Sequence, residues 1–234
     1  VADLVYPPVI RAVTGLWKVL GLKLDFRGVE HLPDRNHGGA ILAINHISYL
    51  DFALAGTAAL PMKRYIRFMA KREIFDNKFA GPLMRGMHHI SVDRANGSAS
   101  FVAALRALRD GEIIGIFPEG TISVSFEIKE LKTGVVRLAQ GAGVPVIPTI
   151  IWGSQRLWTK KVKRNFAQRG VPISVTFGEP LFFDKEQDIE VGEAQLRSIM
   201  VSMLHEMQER YPDSHLGQRW APLRLGGTAP APLN

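Results

Sequence analysis

His46 and Asp51 have the types and the spacing for proton transfer. They lie five positions apart in Asn45-His46-Ile47-Ser48-Tyr49-Leu50-Asp51. On one continuous helix they would be about 140° apart, since each residue turns about 100°, and they would not meet. The stretch, however, follows an apolar run, 39–44, and precedes an apolar helix-like segment, 52–60. It therefore reads as a strand-to-helix turn. On such a turn a carboxylate can hold one imidazole nitrogen and leave the other free, which is the geometry of an oriented general base. A plainer reading stands beside it: Ser48 followed three residues later by Asp51 makes a capping box, in which Asp51 only starts a helix.

Two further polar clusters begin where an apolar run stops. Pro118-Glu119-Gly120-Thr121 follows 112–117, and Asp93-Arg94 follows 89–92. Taken singly, Glu119 reads as a turn residue bonding nearby backbone N–H groups, and Arg94 as a salt bridge at a strand end. Their common position carries more weight, because open α/β sheets gather their sites at the carboxyl ends of strands.

Positioning these clusters requires alternating strands and helices. The periodicities predict strands over 21–28, 39–44, 64–70, 89–92, 112–117, 144–152 and 173–177, and helices over 52–60, 79–87, 98–109, 132–140 and 195–211. This is an α/β pattern, a layered mixed sheet flanked by helices, with one domain over 29–211. Residues 1–28 are set apart by an amphipathic helix within 4–24, opened by Pro7-Pro8. Val9, Ile10, Val13, Leu16, Trp17 and Leu20 line one side of it, and Arg11, Thr14 and Lys18 the other. Such a helix suits a membrane headgroup layer, or equally packing on the domain. Residues 212–234 are expected to form a tail, extended unless docked.

The 234 residues carry a formal charge of +7, a pI of about 9.8 and a mean hydropathy of +0.03. An anionic partner is implied: an acidic membrane surface, a phosphorylated substrate or nucleic acid. The segment 61–94 holds eight Lys and Arg against three acids, and 156–169 holds six cations and no acid. Cysteine is absent, which excludes disulfides, thiol nucleophiles and cysteine-ligated metals. The uncharged run Leu138–Gln155 is broken by Gly141, Gly143, Pro145, Pro148 and Gly153, and so reads as a helix end, a turn and a buried strand, not a membrane span.

Taken together, four blocks resemble the glycerolipid acyltransferase family, the PlsC-type 1-acylglycerol-3-phosphate acyltransferases. Asn45–Asp51 matches the first, His88–Arg94 (HHISVDR) the second, Phe117–Ser123 (FPEGTIS) the third and Val144–Thr149 (VPVIPT) the fourth. Leu131-Lys132-Thr133-Gly134 resembles the family's helix start between the last two. Ser125–Glu130 resembles a branch found in actinobacteria. Two positions depart from the pattern. His88 stands where the family has a small residue, and Ile122 where it has an arginine thought to meet the substrate phosphate.

The resemblance implies acyl transfer from acyl-CoA, or from an acyl carrier protein, to the free hydroxyl of lysophosphatidate. It assigns His46 as general base and Asp51 as its orienting partner. It gives Glu119, Gly120 and Thr121 a part in positioning substrate. With Ile122 in place of arginine, either phosphate binding falls to Arg94, helped by Lys71, Arg72 and Lys132, or the acceptor is a different phosphoglycerol or lysophospholipid. Glu119, a bare carboxylate, is expected to hold a cation or hydroxyl. No metal and no cofactor beyond the acyl-CoA co-substrate are implied. The expected partners are a lysophospholipid acceptor and an anionic membrane surface, with a peripheral or monotopic place on the cytoplasmic face. Two rivals remain. A serine hydrolase would pair Ser48 with His46, but no Gly-x-Ser-x-Gly elbow is present. A basic membrane- or nucleic-acid-binding module would explain the charge but not the His-Asp pair, and no nucleic-acid motif is recognisable.

Overall fold

The strand that leads to His46 is buried on both faces. In the computed structural model, which describes residues 3–34, 38–93 and 97–231, it is β2 (Ala40–Ile44), with all five residues inaccessible to solvent. Alternate side chains serve two cores. Ile41 and Ala43 join one apolar cluster, while Ala40, Leu42 and Ile44 join another on the opposite face. A continuous apolar run is what a central parallel strand requires.

The other strands are β1 (Lys23–Arg27), β3 (Ile66–Lys71), β4 (Ile90–Val92), β5 (Ile113–Ile116), β6 (Val146–Trp152) and β7 (Pro172–Phe177). They form one seven-stranded sheet in the order β1-β7-β6-β2-β5-β3-β4. From β6 to β4 every pairing is parallel, β6 and β7 are antiparallel, and β1 runs parallel to β7. The mixed sheet expected from sequence is thus present, and five strands direct their carboxyl ends to one edge. Helices α5 (Gly97–Arg109), α6 (Gly134–Ala142) and α7 (Ile189–Glu209) cover one face. Helices α1 (Tyr6–Val19) and α2 (Asp51–Ala58) cover the other.

Several local expectations change. Helix α1 packs on the domain: Tyr6, Ile10 and Trp17 are buried, Trp17 Nε1 donates to Thr57 Oγ1 at 3.0 Å, and the Tyr6 hydroxyl donates to the Ile66 carbonyl. Leu16, assigned to the apolar face, is instead exposed with Val19. A further short helix, α3 (Arg72–Asp76), precedes α4 (Ala80–Gly86). Helix α7 starts at Ile189, not 195, because Asp188 Oδ1 accepts from the Glu190 and Val191 N–H groups. β1 lies within the N-terminal 28 residues yet is an edge strand of the common sheet.

The tail is docked. Arg156 bonds the Tyr211 hydroxyl and Asp213 and stacks 4.5 Å over Trp220, and Ala221 and Ala229 are buried. Part of the basic character also turns inward. Arg64 donates to the carbonyls of Pro33, Asp34, Gly38 and Gly111, and Arg67 is held by Asp3 and Glu112. Both side chains are buried, so these two cations stabilise the fold and do not face a partner. Among the described residues no helix is long and apolar enough to cross a membrane.

Candidate active site

β2 ends against β6 through a side chain. The Asn45 amide donates to the Ile151 carbonyl (3.0 Å) and accepts from the Ile151 N–H (2.7 Å), continuing the ladder one residue past the strand. The chain then turns, and His46 is fixed by its backbone before its ring does anything. Its N–H donates to Glu119 Oε1 at 2.8 Å, and its carbonyl accepts from the Ser123 N–H at 2.7 Å. The FPEGT turn after β5 therefore clasps the turn after β2.

The His46 ring meets Asp51. Nδ1 stands 3.1 Å from Asp51 Oδ2, and since a carboxylate only accepts, Nδ1 donates; Nε2 has no hydrogen-bond partner among the described residues. The imidazole stacks on Phe117 with centroids 4.2 Å apart, and about one fifth of the side chain reaches solvent. Asp51 is fully buried, and its Oδ2 also accepts from the Ile47 and Ser48 N–H groups, both at 2.8 Å. The two sequence readings of Asp51 are thus not exclusive. The same oxygen that holds the ring ties down the backbone leading into α2, while Ser48 Oγ accepts from the Leu50 N–H.

Among the described residues, Glu119 meets backbone N–H groups and not the cation or hydroxyl expected from sequence. Its two oxygens accept from the backbone N–H groups of His46 and Lys129, the second at 3.2 Å. Burial pushes its carboxyl up to about 7, against the opposing pull of those two N–H groups. Its described role is to join the His46 turn to the loop after FPEGT. Gly120 sits at φ +71°, and a β-carbon there would come 3.0 Å from Lys132 Cε and 3.2 Å from Nζ. The glycine lets the Lys132 side chain cross the turn. Thr121 is exposed and its hydroxyl accepts from Lys129 Nζ at 2.6 Å.

The phosphate candidates are scattered. Lys132 lies against the turn that holds His46. Lys71 is exposed at the carboxyl end of β3, two strands from β2 in the sheet. Arg72 is engaged by Asp93 (3.0 Å) and Asp76 (3.8 Å), which weakens its case as a helper. Arg94 lies outside the described residues. The two departures from the family pattern acquire structural meanings. His88 adopts φ +57°, a left-handed conformation that a small residue such as glycine occupies more easily. Ile122 is buried, so this position packs where the pattern has a phosphate-binding arginine.

Ser154 and Thr159 are missed from sequence. Ser154 Oγ donates to Asp51 Oδ1 at 2.7 Å, and Thr159 Oγ1 donates to the Ile47 carbonyl at 2.6 Å. Both follow β6, more than one hundred residues after the turn they support. The available signal was Gly153-Ser154 directly after a buried strand, a break of the kind that aims a side chain at a sheet edge. Among the described residues no three His, Asp or Glu side chains converge as a metal site would require.

The geometry supports a base that takes a proton from a hydroxyl at the rim of a parallel sheet. The profile of the acyltransferase family matches residues 23–152, which includes every motif of this site up to β6. A 1-acyl-sn-glycerol-3-phosphate acyltransferase of Bacillus subtilis is 37% identical over 125 residues, covering 53% of this chain and 60% of that protein. The enzyme of the same name from Limnanthes alba is 31% identical over 179 residues, 72% of this chain and 58% of that one. A probable 1-acyl-sn-glycerol-3-phosphate acyltransferase of Mycoplasma pneumoniae is 31% identical over 192 residues, 75% and 70% of the two chains. The chain thus spans about three fifths of the length of the first two relatives. Among solved structures, the acyltransferase PlsC from Thermotoga maritima superimposes with a TM-score of 0.71 over 88% of this chain and 82% of that one, at 21% identity, and so shares its fold. With more than half its length matched by the family profile, the chain belongs to the acyltransferase family.

Proposed function

We propose that this chain transfers a fatty acyl group from acyl-CoA to the free hydroxyl of 1-acylglycerol 3-phosphate, forming phosphatidate for phospholipid synthesis. The observation that carries the reading is the His46–Asp51 pair, with Nδ1 bound to a buried carboxylate and Nε2 open. The relatives named above, 1-acyl-sn-glycerol-3-phosphate acyltransferases, support the acceptor. Nε2 takes the hydroxyl proton as the alcohol oxygen attacks the thioester carbonyl. Asp51 stabilises the imidazolium, the carbon–sulfur bond breaks, and the same proton passes to the departing thiolate. No covalent enzyme intermediate and no cofactor beyond the co-substrate enter this scheme. General-base catalysis of this kind is worth roughly 10²–10⁴-fold.

Lys132, beside the Gly120 turn, is the best-placed described cation for the acceptor phosphate. Arg94 joins it on the strength of its motif alone, and Lys71 serves from the end of β3, two strands from β2. Both substrates carry long apolar chains, so the enzyme works against an anionic bilayer, peripherally and on the cytoplasmic face. Exposed Ile74 on α3, Phe79 just before α4 and Leu83 on α4, among Lys71, Arg72 and Lys78, suit that contact. Each cation near such a surface contributes about 1 kcal/mol. A second reading, with another phosphoglycerol or lysophospholipid as acceptor, is favoured by one observation: the inward-packed Ile122 in place of the family's arginine.

The test is thiol release by purified protein given acyl-CoA and lysophosphatidate, run against a panel of other acceptors and against acyl carrier protein as donor. Release with lysophosphatidate, lost in His46→Ala, is the expected result. Release only with another acceptor selects the second reading, and full activity in His46→Ala rules out the mechanism.

A further inference from the structure

Asp51 is loaded unevenly. Oδ2 takes three donors, His46 Nδ1 and the N–H groups of Ile47 and Ser48, whereas the described donor on Oδ1 is the Ser154 hydroxyl at 2.7 Å. Both side chains are inaccessible to solvent, and 103 residues separate them. We infer that Ser154 is a positioning residue for proton transfer: it anchors the far oxygen of Asp51, so that Oδ2 stays aimed at the His46 ring. The inference rests on reading His46 as the base.

The backbone around Ser154 is shaped to deliver this hydroxyl. β6 ends at Trp152, and Gly153 reverses the chain at φ +98°, where a β-carbon would fall 2.1 Å from the Pro172 carbonyl oxygen. Only glycine fits that turn. The Gly153 N–H is held by Gln155 Oε1 at 2.9 Å, and the Gln155 amide donates to the Trp220 carbonyl of the docked tail at 3.1 Å. The Ser154 carbonyl accepts from the Leu157 N–H, starting a short turn of 3₁₀-helix. Ser154 therefore has a rigid mount, tied at one side to β7 and at the other to the tail.

A carboxylate turns easily about its last side-chain bond, because that torsion has a broad minimum. Three donors on one oxygen and none on the other would let Oδ2 settle toward the two backbone N–H groups and away from the ring. A donor on Oδ1 fixes the plane of the group. The other described side chains bonded to this turn meet its backbone and not the Asp51 carboxylate: Glu119 receives the His46 N–H, and Thr159 donates to the Ile47 carbonyl. Phe117 covers one face of the ring and offers no hydrogen bond. The orientation of the carboxylate plane thus depends on Ser154.

The test compares Ser154→Ala, Ser154→Cys and Ser154→Thr in the full chain, with two readouts. In the thiol-release assay, Ser154→Ala is expected to lower kcat about tenfold to a hundredfold, the cost of a small misplacement, while KM for both substrates stays within about twofold. By nitrogen-15-edited proton NMR, the low-field Nδ1–H signal of His46, assigned with His46→Gln, should broaden or move upfield. Ser154→Thr, which keeps the hydroxyl, should restore rate and signal. Ser154→Cys, a weaker donor of similar size, should fall between and serves if the alanine variant does not fold. A wild-type kcat with an unmoved signal in Ser154→Ala or Ser154→Cys overturns the proposal, as does a threonine variant as impaired as alanine with the signal in place. The NMR signal reads the His46–Asp51 bond without turnover. A protein that transfers no acyl group would therefore end the functional reading while still deciding the role of Ser154.

Discussion

His46 and His89 belong to two matching blocks of the sequence and stand near the edges of parallel strands, yet the fold puts them in opposite states. His46 lies past the carboxyl end of β2, partly open, with Nδ1 on a carboxylate and no described partner on Nε2. His89 lies just before the amino end of β4, buried, with Nδ1 accepting from the Phe68 N–H at 3.0 Å. Burial, aided by the neighbouring Arg67 and His88, holds the His89 ring down to about 4, so it stays neutral and serves as a fixed acceptor. Residue type does not separate a base from a structural ring. Which edge of the sheet it occupies, and whether its partner is a carboxylate or a backbone N–H, does.

The strongest way to break this contrast is His46→Ala, which should reduce acyl transfer by about 10²–10⁴-fold while leaving the thermal melting temperature nearly unchanged. A large loss of stability instead would make His46 as structural as His89. Asp51→Asn should also cut the rate by an order of magnitude or more, but with a measurable loss of stability in urea unfolding, because three of its four described bonds come from the turn and from Ser154.

The reciprocal substitution, His89→Ala, removes the acceptor from a buried N–H and is expected to cost about 1–3 kcal/mol of stability. Activity per folded molecule should be retained, and His89→Asn, whose side-chain oxygen can take the same N–H, should recover part of the loss. A catalytic defect in folded His89→Asn would overturn its assignment as a scaffold ring.

A pH series sharpens the comparison further. His89 falls from 6.5 to about 4 on folding, so its contribution is present above pH 6.5 and is lost as pH drops through 6.5 to 4. Glu119 rises from 4.5 to about 7, so its contribution is present below pH 4.5 and is lost as pH climbs through 4.5 to 7. The two slopes oppose each other between about pH 4.5 and 6.5. Glu119→Gln should therefore make stability rise more steeply with pH in that window, and His89→Asn should make it fall. Urea midpoints at three pH values would check both, and identical slopes in all variants would show that neither group titrates as described. The smallest effect is expected from His88→Gly, which relieves a left-handed backbone and should add about 0.5–1 kcal/mol, since glycine's looser unfolded state offsets part of the gain.

Much of this arrangement is legible in sequence because it is local. The apolar run 39–44 and the breaks at Asn45 and Pro118 place β2, β5 and their turns to within a residue or two. The His46–Asp51 contact is short-range along the chain, and the four blocks in order name the family. Where reading failed, the cause was a partner far away in sequence. Two arginines in the basic segment 61–94 look like surface charge until Arg64 is seen to gather four carbonyls and Arg67 to meet Asp3 and Glu112. The tail looks loose until Arg156, itself counted among surface cations, donates to Tyr211 and Asp213 and stacks on Trp220. Glu119 reads as a local turn residue until one of its oxygens is seen to take the N–H of His46, 73 residues away.

Sequence by itself determined the alternation of strands and helices, the turn that brings an imidazole to a carboxylate, and membership of the acyltransferase family. Those features depend on periodicity and on contacts within a few residues, which the order of side chains encodes directly. Tertiary structure alone decided which of two histidines is open, which cations are interior, and what stands behind Asp51. The last of these depends on β5 and β6 lying on either side of β2, so that Glu119 clasps the His46 backbone from one side while Ser154 reaches Asp51 from the other. No spacing along the chain records that juxtaposition, because sheet order is set by packing on both faces and not by proximity in sequence.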